Sequence, residues 1–211
     1  MEKLTKHKIF TMEDTKRNIL LTVSMSKFAK NGYKKTTTDE IISEAKISKG
    51  LLFHYFGTKK DLYTFLFEYA VTTIMQDFYT QIDMEEKDIL KRLRKMFLLK
   101  LQLTNKYPAI FDFVSSAYFE KDPVVSSRIN KYSTEMFLES QKEILKDIDL
   151  SLFKENNDIQ KVIGIIIYTL RGYSEAQASE GKLIEDYNKE HERYIREIDE
   201  YITVLRNAFY K

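Results

Sequence analysis

Residues 34–62 read KKTTTDEIISEAKISKGLLFHYFGTKKDL. Thr37 precedes Glu40 by three residues, the capping-box spacing in which the hydroxyl takes one free N–H at a helix start and the carboxylate takes another. Thr58 and Asp61 repeat it, and between them Ser48 is placed to cap a helix beginning at Lys49. Helix starts carry unpaired N–H groups and the positive end of the macrodipole, both suited to phosphate. The spacing predicts short helices over 38–45 and 49–55. Ile41, Ile42, Ala45, Leu52 and Phe56 turn inward, while Lys49, Gly50, Phe53, His54 and Tyr55 lie toward the surface. Asp39 and Glu40, at a helix start, are expected to cap.

Outward from this stretch, the composition narrows the fold. The chain has 211 residues, 43% hydrophobic and 13% aromatic, enough for a well-buried core. Two prolines and six glycines are too few for a many-stranded fold with tight turns, so nearly all helix is expected. The absence of cysteine excludes disulfides, cysteine-ligated zinc and thiol catalysis, and fits a cytoplasmic protein. His7, His54 and His191 are far apart in sequence. HExxH, GxSxG, a phosphate-cradling glycine loop and a carboxylate–histidine metal pattern are all missing. The expectation is therefore no enzyme, no metal and no cofactor. The run 162–170, broken by Gly164, is far shorter than the roughly 20 residues of a membrane span. The N-terminus also lacks the apolar core of a signal peptide, so no membrane partner is expected.

Charge is unevenly placed. Residues 1–60 hold 13 Lys+Arg and 6 Asp+Glu, leaving 21 and 26 for the remainder, so a basic end (+7) precedes an acidic body (−5). That asymmetry fits a first segment that meets a polyanion.

In chain order, residues 1–11 read as a mobile arm. A helix over 13–31, with Thr11 and Asp14 at capping-box spacing, places Leu20, Val23, Ser24 and Phe28 on one face and ends at Gly32. A long helix runs from Thr58 to about Ile82, and others are predicted over 88–105 and 108–119. Another opens at Asp122-Pro123 and reaches Asp147, followed by helices over 158–180 and 185–210. The last carries Ile195, Ile198, Ile202, Leu205 and Phe209 at coiled-coil-like spacing.

The run NGYKKTTTDEIISEAKISKGLLFHYFGTKKDLY resembles the N-terminal domain of the TetR family of bacterial transcriptional regulators. Phe28, the Gly32-Tyr33 pair, the threonine run, the SKG helix start, Tyr55-Phe56, Lys59 and Leu62 carry the likeness. It implies an all-α chain of about nine helices, with a three-helix helix-turn-helix head over 1–57. A long fourth helix joins the head to a ligand-binding and dimerisation domain over 58–211.

Matched by position within the motif Thr37 to Phe56, Thr38, Ser48, Tyr55 and Lys59 are expected at the phosphate backbone, Lys49, Gly50, Phe53 and His54 at the bases or their sugars, and Thr37 is counted among the DNA-binding residues. Gly50 permits close approach, Lys49 can donate to guanine, and Phe53 can meet a thymine methyl. Each also has an ordinary reading: Phe53 in the core, His54 merely solvated, Tyr55 supporting the head, Lys59 a surface charge. Lys46 departs from the family pattern, which has a glycine at this turn. If the turn needs a positive φ, lysine costs on the order of 1 kcal/mol there, offset by a phosphate contact.

The resemblance further implies a homodimer through the last two helices, with Ile166, Leu170, Ile195, Ile198, Ile202 and Leu205 at the interface, reading a palindromic operator in double-stranded DNA. It also implies a pocket for an unidentified small-molecule effector. Phe97, Phe111, Tyr118, Phe137 and Tyr168 are its apolar candidates, with Arg171 and Glu175 as polar anchors or as an i,i+4 pair satisfying each other. The expected function is a repressor released from its operator by a small, largely apolar ligand. The alternative is a DNA-binding or interaction protein of the same type governed by a protein partner.

Overall fold

The computed structural model describes residues 6–179 and 190–211, whose regular structure is helical apart from an isolated bridge between Phe153 and Tyr210. Among them nine α-helices follow one another: α1 (Asp14–Lys35), α2 (Thr38–Ala45), α3 (Lys49–Phe56), α4 (Lys59–Gln81), α5 (Ile89–Lys106), α6 (Pro108–Tyr118), α7 (Ser126–Ile144), α8 (Ile159–Ser179) and α9 (His191–Phe209). Short 3-10 turns occupy Lys8–Thr11 and Leu150–Leu152. None of the described helices is long and apolar enough to cross a membrane.

Four local expectations are corrected. The described part of the arm is packed: Ile9 is fully buried, and the His7 ring lies 4.4 Å from that of Phe65 while its Nδ1 accepts from Ile9 N. Burial, then the neighbouring Lys8, lowers the His7 pKa. Residues 1–5 of the expected arm lie outside the described residues. The Thr11 hydroxyl donates to Lys8 O, and Glu13, not Thr11, caps α1 by accepting from Thr15 N. Asp122 accepts from Val124 N and opens a turn, so α7 starts only at Ser126. Gly32 does not end α1 either; it kinks the helix at φ 72, ψ 173, and one further turn follows.

The chain forms two compact units. One joins the described residues up to Gln76 with Tyr107–Met136; the other joins Asp77–Lys106 with the described residues from Phe137 onward. In the first, Phe28 of α1 meets Tyr63 of α4 edge-on at 4.9 Å, and Tyr63 meets Phe113 of α6 at 5.3 Å. Such pairs add to the area buried.

In the second unit Ile89, Leu90, Val162, Ile166, Leu170, Ile198, Ile202 and Leu205 form the core. This corrects the expected subunit contact: Ile166, Leu170, Ile198, Ile202 and Leu205 are buried within one chain, and Ile195 is half-buried. The apolar seam of α9 packs onto its own α5 and α8 cluster. The outward apolar residues of the same helices are Ile165 (46% exposed), Tyr168 (69%), Tyr201 (43%) and Val204 (66%).

Two buried polar groups fasten this unit. Arg92, with no exposed surface, donates to the carbonyls of Glu86 (2.7 Å), Met84 (3.0 Å), Ile144 (2.7 Å) and Lys146 (2.8 Å). A cation at the end of α7 answers both the unpaired carbonyls and the negative pole there. Asp88 caps α5 through Leu90 N and accepts from Arg206 (2.9 Å) and the Tyr210 hydroxyl (2.8 Å), tying the chain's end to α5.

Burial alone would raise the Asp88 pKa, but the hydrogen bonds from Arg206 and Tyr210 outweigh it and hold the group below its ordinary 3.8. A folded-state pKa below the unfolded one gives stability that is complete above the unfolded value and lost as pH falls through the folded one. Asp88→Asn is therefore expected to cost about 2 kcal/mol at neutral pH and to flatten the acid side of the stability profile. Urea unfolding of both proteins from neutral to acid pH measures this.

Candidate nucleic-acid interface

The head's chemistry begins with its caps. Thr37 accepts from Glu40 N at 3.2 Å while Glu40 accepts from Thr37 N at 2.9 Å, so α2 opens with both halves of a capping box. These bonds, the backbone one first, hold the Glu40 pKa below its usual value. Ser48 accepts from Leu51 N at 3.2 Å and opens α3. Thr58 and Asp61 exchange the same bonds at the head of α4.

The connection between α2 and α3 turns at Lys46, which adopts φ 54, ψ 44, the left-handed region expected of a glycine. That conformation lets Lys46 N reach Ser43 O and Ile47 N reach Ile42 O, closing the end of α2. The Lys46 side chain is exposed.

Leu52 and Phe56 anchor α3 in the core. The opposite side carries Lys49, Gly50 and His54, all exposed, with Phe53 and Tyr55 half-buried at its margins. A Cβ at Gly50 would meet nothing within 4 Å, so nothing within the chain requires a glycine there. A helix with a bare, open backbone on its outer face suits insertion into a major groove. Thr37 is exposed and Thr38 half-buried beside it.

Two expectations change. Asp39 does not simply cap; its carboxylate pairs with Lys49 at 3.1 Å between α2 and α3. Both side chains are mostly exposed, and such a pair is worth about 0–1 kcal/mol, readily exchanged for another anion. Lys59, expected at a phosphate, instead donates to the carbonyls of Tyr33 (2.8 Å), Thr36 (3.0 Å) and Lys34 (3.4 Å) and sits 4.4 Å from the Tyr33 ring centroid. An ammonium has three donors, and here they fasten α4 to the last turn of α1.

A residue that sequence reasoning missed holds the same turn. The Gly32 kink leaves Tyr33 N without a helical acceptor, and Glu120, in the loop after α6, accepts from it at 2.8 Å. The other Glu120 oxygen takes Lys121 N and Asp122 N at 2.9 Å each. The head is thereby tied to α6 within one compact unit. Nothing in local pattern flags a bond between positions 87 residues apart.

The candidate effector residues divide between the units. Phe111 and Tyr118 belong to the first, one half-buried and the other more exposed; Phe97, Phe137, Tyr168, Arg171 and Glu175 belong to the second. In the second, Arg171 Nε donates to Glu175 at 2.6 Å and the guanidinium lies 3.9 Å from the Phe137 centroid. Phe97 neighbours Tyr173. Tyr168 does not join them; it is among the outward residues of α8. Among the described residues no cluster of His, Cys, Asp or Glu is placed to hold a metal.

A capped helix, a left-handed turn and a second capped helix with an open outer face define a helix-turn-helix protein that binds DNA. Residues 20–64 match the sequence profile of the family described as bacterial regulatory proteins, tetR family. The HTH-type transcriptional regulator QacR of Staphylococcus aureus is 28% identical over 160 residues, covering 72% of this chain and 81% of that protein. HTH-type transcriptional regulator HbdR of Aromatoleum is 31% identical over 70 residues, a third of each chain (33% and 31%). A TetR family regulator from Chloroflexus aurantiacus superposes with a TM-score of 0.66 at 17% identity, over 96% of this chain and 97% of that one. Residues 20–64 thus match the N-terminal DNA-binding domain of the TetR family, and the chain as a whole shares the fold of TetR family regulators.

Lys46→Gly relieves the left-handed backbone and is expected to stabilise the chain by about 1 kcal/mol. If Lys46 contacts phosphate, the same change weakens DNA binding and lowers the logarithmic salt slope by about one for each head. Thermal unfolding and salt titrations of DNA affinity read the two effects separately; unchanged affinity would remove Lys46 from the interface.

Proposed function

We propose that this regulator is a repressor that acts as a homodimer on a palindromic operator and is released by a small, largely apolar effector. In this reading residues 1–57 form the DNA-reading domain and residues 58–211 the effector and dimerisation domain, with α4 as the shared shaft. Lys49, Gly50, Phe53 and His54 approach base edges, while Thr37, Thr38, Lys46, Ser48 and Tyr55 position the head on phosphates. The observation that carries the reading is the exposed outer face of α3, with Gly50 open to close approach.

One head offers few base contacts, so selectivity calls for two. Ile165, Tyr168, Tyr201 and Val204 supply an apolar surface for pairing on the last two helices. Release requires that the head respond to changes in the body. The bonds from Glu120 and Lys59 to the last turn of α1 give such a route within the first unit, because a shift of α6 or α4 pulls on that turn. Control by a protein partner is the second reading, supported by Tyr118, Phe119 and Val124, exposed apolar side chains around the loop that holds Glu120.

The double variant Tyr168→Glu, Val204→Glu places charge on the pairing surface. It is expected to sediment as a monomer and to lose at least about tenfold in operator affinity, with helicity unchanged; a dimer that still binds would place the interface elsewhere. Effector control is tested by operator affinity, measured on the DNA upstream of the protein's own gene, across a panel of small molecules. A fall with one compound supports induction, and no change across a broad panel favours the partner reading.

A further inference from the structure

We propose that Asp39 is a positioning residue for DNA reading: its carboxylate aims the Lys49 ammonium at base edges and withholds it from phosphates. The inference rests on the reading that places Lys49 at the bases, and it adds a residue that acts through Lys49.

The first turn of α2 carries two neighbouring acids with different partners. Glu40 closes the capping box, its Oε2 accepting from Thr37 N at 2.9 Å and from the Thr37 hydroxyl at 3.0 Å. Asp39 instead reaches the next helix: its Oδ1 accepts from Lys49 Nζ at 3.1 Å. A carboxylate in a first helical turn suits the dipole there, but the dipole does not call for a lysine ten positions on. That lysine is the first residue of α3 and the only lysine or arginine on that helix. The N-terminal residues of a recognition helix are the ones that reach base edges. The cap that starts α2 thus fixes where Asp39 stands, and Asp39 fixes where the Lys49 head stands.

A lysine head on a flexible stem is a poor reader by itself. It has several rotamers to lose on binding and serves any acceptor it can reach. The Asp39 contact changes both terms. It restricts the rotamers before DNA arrives, and it occupies one of the three ammonium donors. The remaining two match the O6 and N7 acceptors of one guanine, so a guanine edge adds to the pair and need not break it. A phosphate is an anion and competes with the carboxylate for the same head. Both Asp39 and Lys49 are mostly exposed, so trading one hydrated anion for another gains little. On unrelated DNA Lys49 therefore contributes little, and at a guanine it contributes fully.

The test uses the full chain, a tight-binding duplex selected from a random pool, and an unrelated duplex of equal length. Asp39→Asn keeps the side-chain shape and removes the charge. It is expected to raise affinity for the unrelated duplex at least about threefold and to steepen its logarithmic salt slope by about one for each head. The selected-to-unrelated ratio should fall at least about threefold. Lys49→Gln alone should lower that ratio about tenfold, and on that background Asp39→Asn should change both affinities by one common factor. A rise shared equally by both duplexes, or no change in either, overturns the proposal, because Asp39 is then only a charge near DNA or has no part in reading it. A ratio that Asp39→Asn lowers as much without Lys49 as with it overturns the proposal too. Lys49→Gln with an undiminished ratio removes both the proposal and the assignment of Lys49 to the bases. A reduced ratio there, with none from Asp39→Asn, removes the proposal alone.

Discussion

The last turn of α1 is where the head is held. Gly32 breaks the helical ladder, so the backbone beyond it carries an N–H and carbonyls that need partners from elsewhere in the chain. Opposite charges answer the two needs. The Glu120 carboxylate takes the Tyr33 N–H, and the Lys59 ammonium takes the carbonyls of Tyr33, Lys34 and Thr36. Hydrogen bonds to charged groups are stronger than neutral ones, and here two of them converge on a single residue, Tyr33. The aromatic contacts among Phe28, Tyr63 and Phe113 hold the same helices by shape; the charged pair fixes their register. The helices of the head inherit their placement from that turn, because α2 starts just beyond Thr36.

In the second unit, charge is buried by a different rule. Among the described residues Arg92 has no carboxylate partner, only carbonyls, and it donates to four of them. Asp88 is satisfied by a helix start, a guanidinium and a phenol. Both act as fasteners, Arg92 with four of its five N–H donors engaged, and such pairing is what makes buried polar groups tolerable.

Much of the head was legible in the sequence because its decisive bonds are local. The caps at Thr37, Ser48 and Thr58 each connect residues three positions apart, and spacing alone identifies them. The left-handed turn at Lys46 was legible through the family's glycine at that place. The inward residues Leu52 and Phe56 followed from helical periodicity. What failed to show was tertiary. A lysine at a helix start reads as a phosphate ligand until the carbonyls of another helix are brought beside it, as they are for Lys59. Asp39 reads as a cap until Lys49 folds back on it. The seam of α9 was visible, but periodicity does not say whether an apolar stripe meets its own chain or a second copy. The structure turns Ile198, Ile202 and Leu205 inward and leaves Tyr201 and Val204 outside.

The kink at Gly32 also restricts how the gene can drift. At φ 72 any other residue is strained, and a Cβ there would lie 3.4 Å from the Glu120 carboxylate. Replacing Glu120 leaves a half-buried N–H with no acceptor. Two positions nearly ninety residues apart are therefore constrained by the same turn: a side chain at 32 strains the backbone that presents the Tyr33 N–H, and loss of Glu120 removes that group's acceptor.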